Sequence, residues 1–147
     1  MKIAVRYQSR GGNTRAVAEV IAKILEIKSE PIDSPLDETV DLLFLGGGVY
    51  EWDADPQLKG YLEKLDSKKI GQIVAFSTAG AMKKAISRIT EYADKAGIKV
   101  NDKQLCLKMV MQGHATFGRE GGHLTDEQVE KIKEFTSDVL AGFQDQD

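Results

Sequence analysis

Only one cysteine, Cys106, occurs in the 147 residues, so no internal disulfide can form and no second thiol is at hand for a metal site. A lone reduced thiol fits the cytoplasm, which is the expected location. Long hydrophobic runs are also missing, since no stretch approaches the roughly 18 apolar residues of a spanning helix. The opening Met1-Lys2-Ile3-Ala4-Val5-Arg6 sets charges at both ends of a very short apolar run, unlike a signal peptide. Neither sign of charge dominates. The 20 basic and 23 acidic residues are spread along the chain for a net charge of −3, with no basic block and no cationic amphipathic helix. No nucleic acid and no membrane partner is therefore expected. There is no internal repeat and no low-complexity stretch, and only the tail from Gln144 to Asp147 reads as loose.

What is present is an ordinary globular balance, 41% hydrophobic and 29% charged, in a chain long enough to bury a core without staples. One domain over residues 1–147 is expected, built around a small-molecule site. Ile3 to Tyr7 reads as a strand, followed by a helix with Ala16, Val17, Val20, Ile21, Ile24 and Leu25 on one face. A short edge strand is expected around residues 31–33, bracketed by Pro31 and Pro35, with at most one helical turn before Val40. Leu42-Leu43-Phe44-Leu45 and Ile73-Val74-Ala75-Phe76 are continuous apolar runs, the mark of strands covered on both faces. Asp55-Pro56 opens a helix as N-cap and first residue. A further helix is expected over residues 82–96 with Gly97 as its stop, and a last strand over residues 105–111. Thr125 and Gln128 then form a capping box ahead of Val129, Ile132, Phe135 and Val139. Five strands alternating with helices predict an α/β fold, a doubly wound parallel sheet with helices on both faces.

Ligands of such sheets sit beyond the carboxyl ends of the strands, where strand order reverses. The first such loop, Tyr7-Gln8-Ser9-Arg10-Gly11-Gly12-Asn13-Thr14, runs from a strand directly into a helix. Two glycines allow close backbone approach to an anion, the helix N-terminus favours negative charge, and Ser9, Asn13 and Thr14 add donors. The plainer alternative is a Gly-Gly turn with Asn13 or Thr14 as cap. The loop lacks the lysine of a Walker loop and the spacing of G-x-G-x-x-G.

Ser9-x-Gly11-Gly12-Asn13-Thr14 resembles the flavodoxin phosphate loop, Ser/Thr-x-Ser/Thr-Gly-Asn-Thr, and the likeness extends through element order and spacing over most of the chain. The resemblance implies a flavodoxin-like five-stranded sheet of order 2-1-3-4-5 and FMN as cofactor. It places Ser9, Arg10, Gly11, Gly12, Asn13 and Thr14 around the phosphate; where Gly11 replaces the family's hydroxyl, either one phosphate hydrogen bond is lost or Arg10 supplies charge in its place. Gly48, Val49, Tyr50 and Trp52 would lie beside the ring, with Tyr50 at the family's stacking position and Trp52 either stacking or packing as a lid. Ser77, Thr78, Ala79 and Gly80 correspond to the second flavin loop, which lacks the usual second aromatic. Glu51, Asp53 and Asp55 would surround the ring with negative charge and lower its potential. The glycine-rich stretch with His114, Phe117 and His123 reads as a flap with solvated histidines, and Cys106 as a buried, apolar-like side chain.

Function follows from the resemblance as an FMN-binding electron-transfer protein serving redox partner proteins, as a monomer or weak homodimer. Two alternatives stay open: an FMN-dependent NAD(P)H or quinone reductase, and a flavin-free binding domain on the same fold. An electron carrier is expected ahead of a substrate-converting enzyme.

Overall fold

A computed structural model of the chain describes residues 1–50, 53–78, 84–107 and 124–144. In chain order the elements are β1 (Ile3–Tyr7), α1 (Asn13–Leu25), β2 (Ser29–Pro31), β3 (Val40–Gly47), β4 (Val49–Tyr50) and β5 (Asp53–Ala54). There follow α2 (Pro56–Leu62), β6 (Ile70–Ser77), α3 (Lys84–Ala96), β7 (Lys99–Val100), β8 (Leu105–Cys106) and α4 (Asp126–Gln144). The main sheet is parallel, in the order β2-β1-β3-β6, and its far edge position is shared by β7 and then β8. Counted by position, this is the expected 2-1-3-4-5 arrangement.

The two apolar runs behave as their continuity demands. Alternate residues of β3 and β6 enter different cores, one on each side of the sheet. Leu43, Leu45, Ile73 and Ala75 pack with Leu58 and Leu62 of α2 and with Ile86 and Ile89 of α3. Leu42, Phe44, Val74 and Phe76 pack with Val17 and Ile21 of α1 and with Ile132 and Phe135 of α4. Helix ends follow the expected chemistry. Asp55 accepts from the Gln57 amide at 3.0 Å, and Gly97 takes a left-handed φ of 76° after α3. At the head of α4, Thr125 Oγ1 accepts from the Gln128 amide and Gln128 Oε1 accepts from the Thr125 amide, which is the capping box.

Several expectations need correction. The edge strand lies at Ser29–Pro31 rather than residues 31–33, because Val5, Arg6 and Tyr7 take Ser29, Glu30 and Pro31 as partners. The last strand of the sheet comes in two pieces, with β7 unanticipated because two residues carry no periodic signal. Residues 108–111 of the expected strand and residues 82–83 of the expected helix lie outside the described residues. β3 extends beyond the apolar run of residues 42–45 to take in Gly46 and Gly47. A Cβ on Gly46 would lie 2.1 Å from Cε2 of Phe76, and one on Gly47 would lie 2.3 Å from Cδ2 of Leu58.

The crossing from β2 to β3 is the one without a helix among the described crossings. The guanidinium of buried Arg6 holds it instead, donating to the carbonyls of Ser34 and Pro35, each at 3.1 Å, and pairing with Glu30. Between this segment and α2 runs a groove of about 870 Å³, lined by Ile32, Leu36, Tyr61 and Leu65 among others and reaching Ser9 at one end.

Gly46→Ala forces its methyl group against the fully buried Phe76 ring and should lower unfolding free energy by about 1–3 kcal/mol, read by urea titration. Glu26, which closes α1 at φ 59°, is a side chain in a left-handed position. Replacing it with glycine should raise stability by roughly 0.5–1 kcal/mol in the same measurement.

Candidate functional site

Right-handed parallel crossovers send every loop that leaves a strand's carboxyl end to the same rim of the sheet. The loop of residues 9–12 leaves β1 there and enters α1. Gly12 is the N-cap residue, in a left-handed conformation at φ 97°, and no side chain caps the helix. Neither Asn13 nor Thr14 performs that role, so the plain capped turn is not what the chain builds. The first turn of α1 carries no acidic residue.

Within residues 9–14, the Gly12 amide donates to Ser9 Oγ at 3.1 Å. The amides of Ser9, Gly11 and Thr14 donate to no described residue. Thr14 is buried, and its hydroxyl shares a 3.0 Å hydrogen bond with the hydroxyl of Thr78, just beyond β6. The first and fourth strand loops are thereby joined. This donor set suits a phosphate group: a helix start with no side-chain cap, the amides of Ser9, Gly11 and Thr14 without an acceptor among the described residues, no acidic residue in the first turn, and hydroxyls alongside.

The third-strand loop is a small antiparallel hairpin. Val49 pairs with Ala54 and Tyr50 with Asp53, so β4 and β5 form a two-stranded antiparallel pair. The hairpin is tied to the first loop at both ends. Gln8 Oε1 accepts from the Gly48 amide at 3.3 Å, while the Asp55 amide donates to Gly48 O at 3.1 Å. Arg10 donates to the Asp55 carboxylate through Nε and, at 3.3 Å, through Nη2. Asp55 is 2% exposed and Arg10 about half exposed.

The negative cluster expected here is largely compensated. Asp53 is bonded by Arg88 at 3.0 and 3.3 Å and lies 3.5 Å from Lys59 Nζ. The Arg88 guanidinium, then the Ala54 amide, hold its carboxyl well below the usual carboxylate range. Asp55 faces Arg10. The expectation that these two acids set a negative field around a ring is therefore corrected, because each has a cation against it. Arg10 in turn is engaged by Asp55, the N-cap residue of α2.

Ser77 closes β6, fully buried, and its carbonyl accepts from the Leu107 amide at 2.9 Å. Trp52, Ala79, Gly80, Glu51, His114, Phe117 and His123 lie outside the described residues, as do the side chains of Val49 and Tyr50. Gln8 went unnoticed in the sequence. It is 3% exposed, and its buried Nε2 has no hydrogen-bond partner among the described residues. Its only sequence signal is a polar residue directly after an apolar strand. Among the described residues no three metal-ligating side chains converge, and no helix is long and apolar enough to cross a membrane.

The sequence model of the flavodoxin domain matches residues 4–117, most of the chain. The chain belongs to the flavodoxin family. Among solved structures, an archaeal flavodoxin superposes with a TM-score of 0.69 at 19% identity, covering 98% of this chain and 99% of that one. Flavodoxin 2 from Bacillus cereus gives 0.67 at 19% identity over 92% of this chain and 95% of its own. A flavoprotein from Lactobacillus acidophilus, solved in complex with FMN, gives 0.54 at 22% identity over 73% and 93%. No curated protein sequence matches. At these identities the structural likenesses speak to the flavodoxin-like fold.

The clamp on Asp53 carries a sign for pH. Its folded pKa is depressed, so the stability it contributes is present above the unfolded value of about 4 and is lost as pH falls through the folded value. Urea titrations from pH 7 down to pH 2 should show an acid loss of stability that is smaller in Asp53→Asn. Identical pH profiles for the two proteins would remove Asp53 from the account.

Proposed function

We propose that this flavodoxin-family chain binds FMN and acts as an electron carrier between redox partner proteins. The observation that carries the reading is the start of α1 without a side-chain cap, where the amides of Ser9, Gly11 and Thr14 have no acceptor among the described residues, at the rim where the strand loops meet. The FMN complex of the Lactobacillus flavoprotein supports it as a relative of the same fold. Ser9, Gly11, Gly12, Asn13 and Thr14 hold the phosphate, with the Gly12 backbone turned as only a residue without Cβ turns easily. The hairpin from Gly48, through Val49 and Tyr50 to Trp52, covers one side of the ring, and Ser77 to Gly80 line its polar edge. When bound, FMN supplies the electron-accepting and electron-donating chemistry. The chain orients it and excludes water from its inner edge. A carrier needs no pocket for a second substrate, only an exposed ring edge for partner proteins to approach.

Purified apo-protein titrated with FMN should quench flavin fluorescence and acquire a shifted two-banded flavin absorbance. Gly12→Asp places a carboxylate and a Cβ in the anion loop and should weaken FMN by about 100-fold or more, with a much smaller effect on riboflavin. A chain that takes up no FMN would defeat the proposal. Sustained NAD(P)H oxidation with a quinone would turn the reading from carrier to reductase.

A further inference from the structure

The hairpin of β4 and β5 is too short to hold itself. Each strand has two residues, and an isolated hairpin of that length is not stable in water by its own pairing. Its base is tied down at Gly48 and Asp55, and Ala54 is buried in the core. Nearer the turn, Asp53 is gripped by charge from two helices. Asp53 is the backbone partner of Tyr50. Arg88 of α3 meets its carboxylate as a fork, Nε donating to Oδ1 at 3.0 Å and Nη2 to Oδ2 at 3.3 Å. Lys59 Nζ of α2 lies 3.5 Å from the same carboxylate. Glu91, one turn further along α3, accepts from Arg88 Nη1 at 2.6 Å and holds the guanidinium in place. Ile86 and Ile89 root α3 in the core, so the fork starts from a rigid element. Asp53 and Arg88 are each 33% exposed, and a lone pair that wet contributes little. A two-pronged guanidinium–carboxylate contact inside a charge network is the arrangement that does contribute.

We propose that Arg88 is a positioning residue for the ring-side hairpin: acting through Asp53, it holds the backbone at Tyr50 where a planar ring requires it. A hairpin held before binding has less freedom to lose when the ring arrives, so the clamp raises affinity without contact of its own. The inference rests on the proposed function, since it takes the hairpin as the cover of the ring. It goes beyond that reading by assigning the hairpin's order to a residue of α3, away from the strand loops. Recognition of the ring and of the phosphate then become separable, the first depending on Arg88 and the second not.

Arg88→Gln opens the fork yet orphans no acid, because Asp53 keeps Lys59 and Glu91 keeps Lys95. Hydrogen exchange of the apo-protein, read by mass spectrometry, should run about fivefold faster over residues 48–55 than in the wild type, with residues 40–46 unchanged. Affinities for FMN and for riboflavin should fall together by about fivefold, while affinity for inorganic phosphate stays within about twofold. Arg88→Lys restores the charge without the fork and should recover part of the loss for both flavins. Unchanged exchange over residues 48–55 would overturn the proposal. So would a loss of phosphate affinity equal to that of riboflavin, which would mark Arg88 as a general support of the fold. A wild-type chain that takes up neither flavin defeats the proposed function, and the ring's part here with it. A wild type that takes them up beside an equally tight Arg88→Gln defeats the clamp alone.

Discussion

The fold depends on two strands that are apolar on both sides. β3 and β6 each bury consecutive residues, and a strand of that kind is stable only when helices cover both faces. Parallel pairing follows, since each strand must be revisited by a crossover that lays a helix on one face. The carboxyl ends of β1, β3 and β6 consequently share one rim. The functional loops meet there because the core leaves them no other place.

At that rim the loops are coupled by a few polar contacts rather than by apolar packing. Gln8 and Arg10, on either side of Ser9, hold the two ends of the hairpin at Gly48 and Asp55, and Thr14 meets Thr78. The arrangement sets the amides of Ser9, Gly11 and Thr14, without acceptors among the described residues, around the start of α1, while Asp53 and Asp55 each face a cation. An anion arriving there meets oriented dipoles and no free acid in the first helical turn. The left-handed Gly12 is what lets the chain change direction between strand and helix without a side chain intruding on that space.

The crossing from β2 to β3 shows the same economy in another form. Without a helix, it is held by one buried guanidinium against two carbonyls, and a groove lies between it and α2. Arg6 reads in the sequence as the one charge interrupting an apolar strand. Its meaning emerges only when Ser34 and Pro35 are brought over it from twenty-eight and twenty-nine residues away.

Local chemistry was enough to mark β1, α1, the two buried strands, the Asp55 and Thr125 caps and the glycine-bearing loop between β1 and α1, because each is written in contiguous residues: periodicity, caps, turn formers. It was not enough for β7, whose two residues are strand only through pairing with β6, nor for Gly46 and Gly47, which read as loop but are demanded by Phe76 and Leu58 lying against them. The roles of Asp53 and Asp55 were legible as charge and as cap, yet their cations come from Arg88 and Arg10, thirty-five and forty-five residues distant. Sequence alone determined which segments bury themselves and which loop has the glycine to turn from strand into helix, since burial and backbone freedom are properties of neighbouring residues. Tertiary structure decided which charges cancel, because cancellation depends on distances that only the assembled sheet sets.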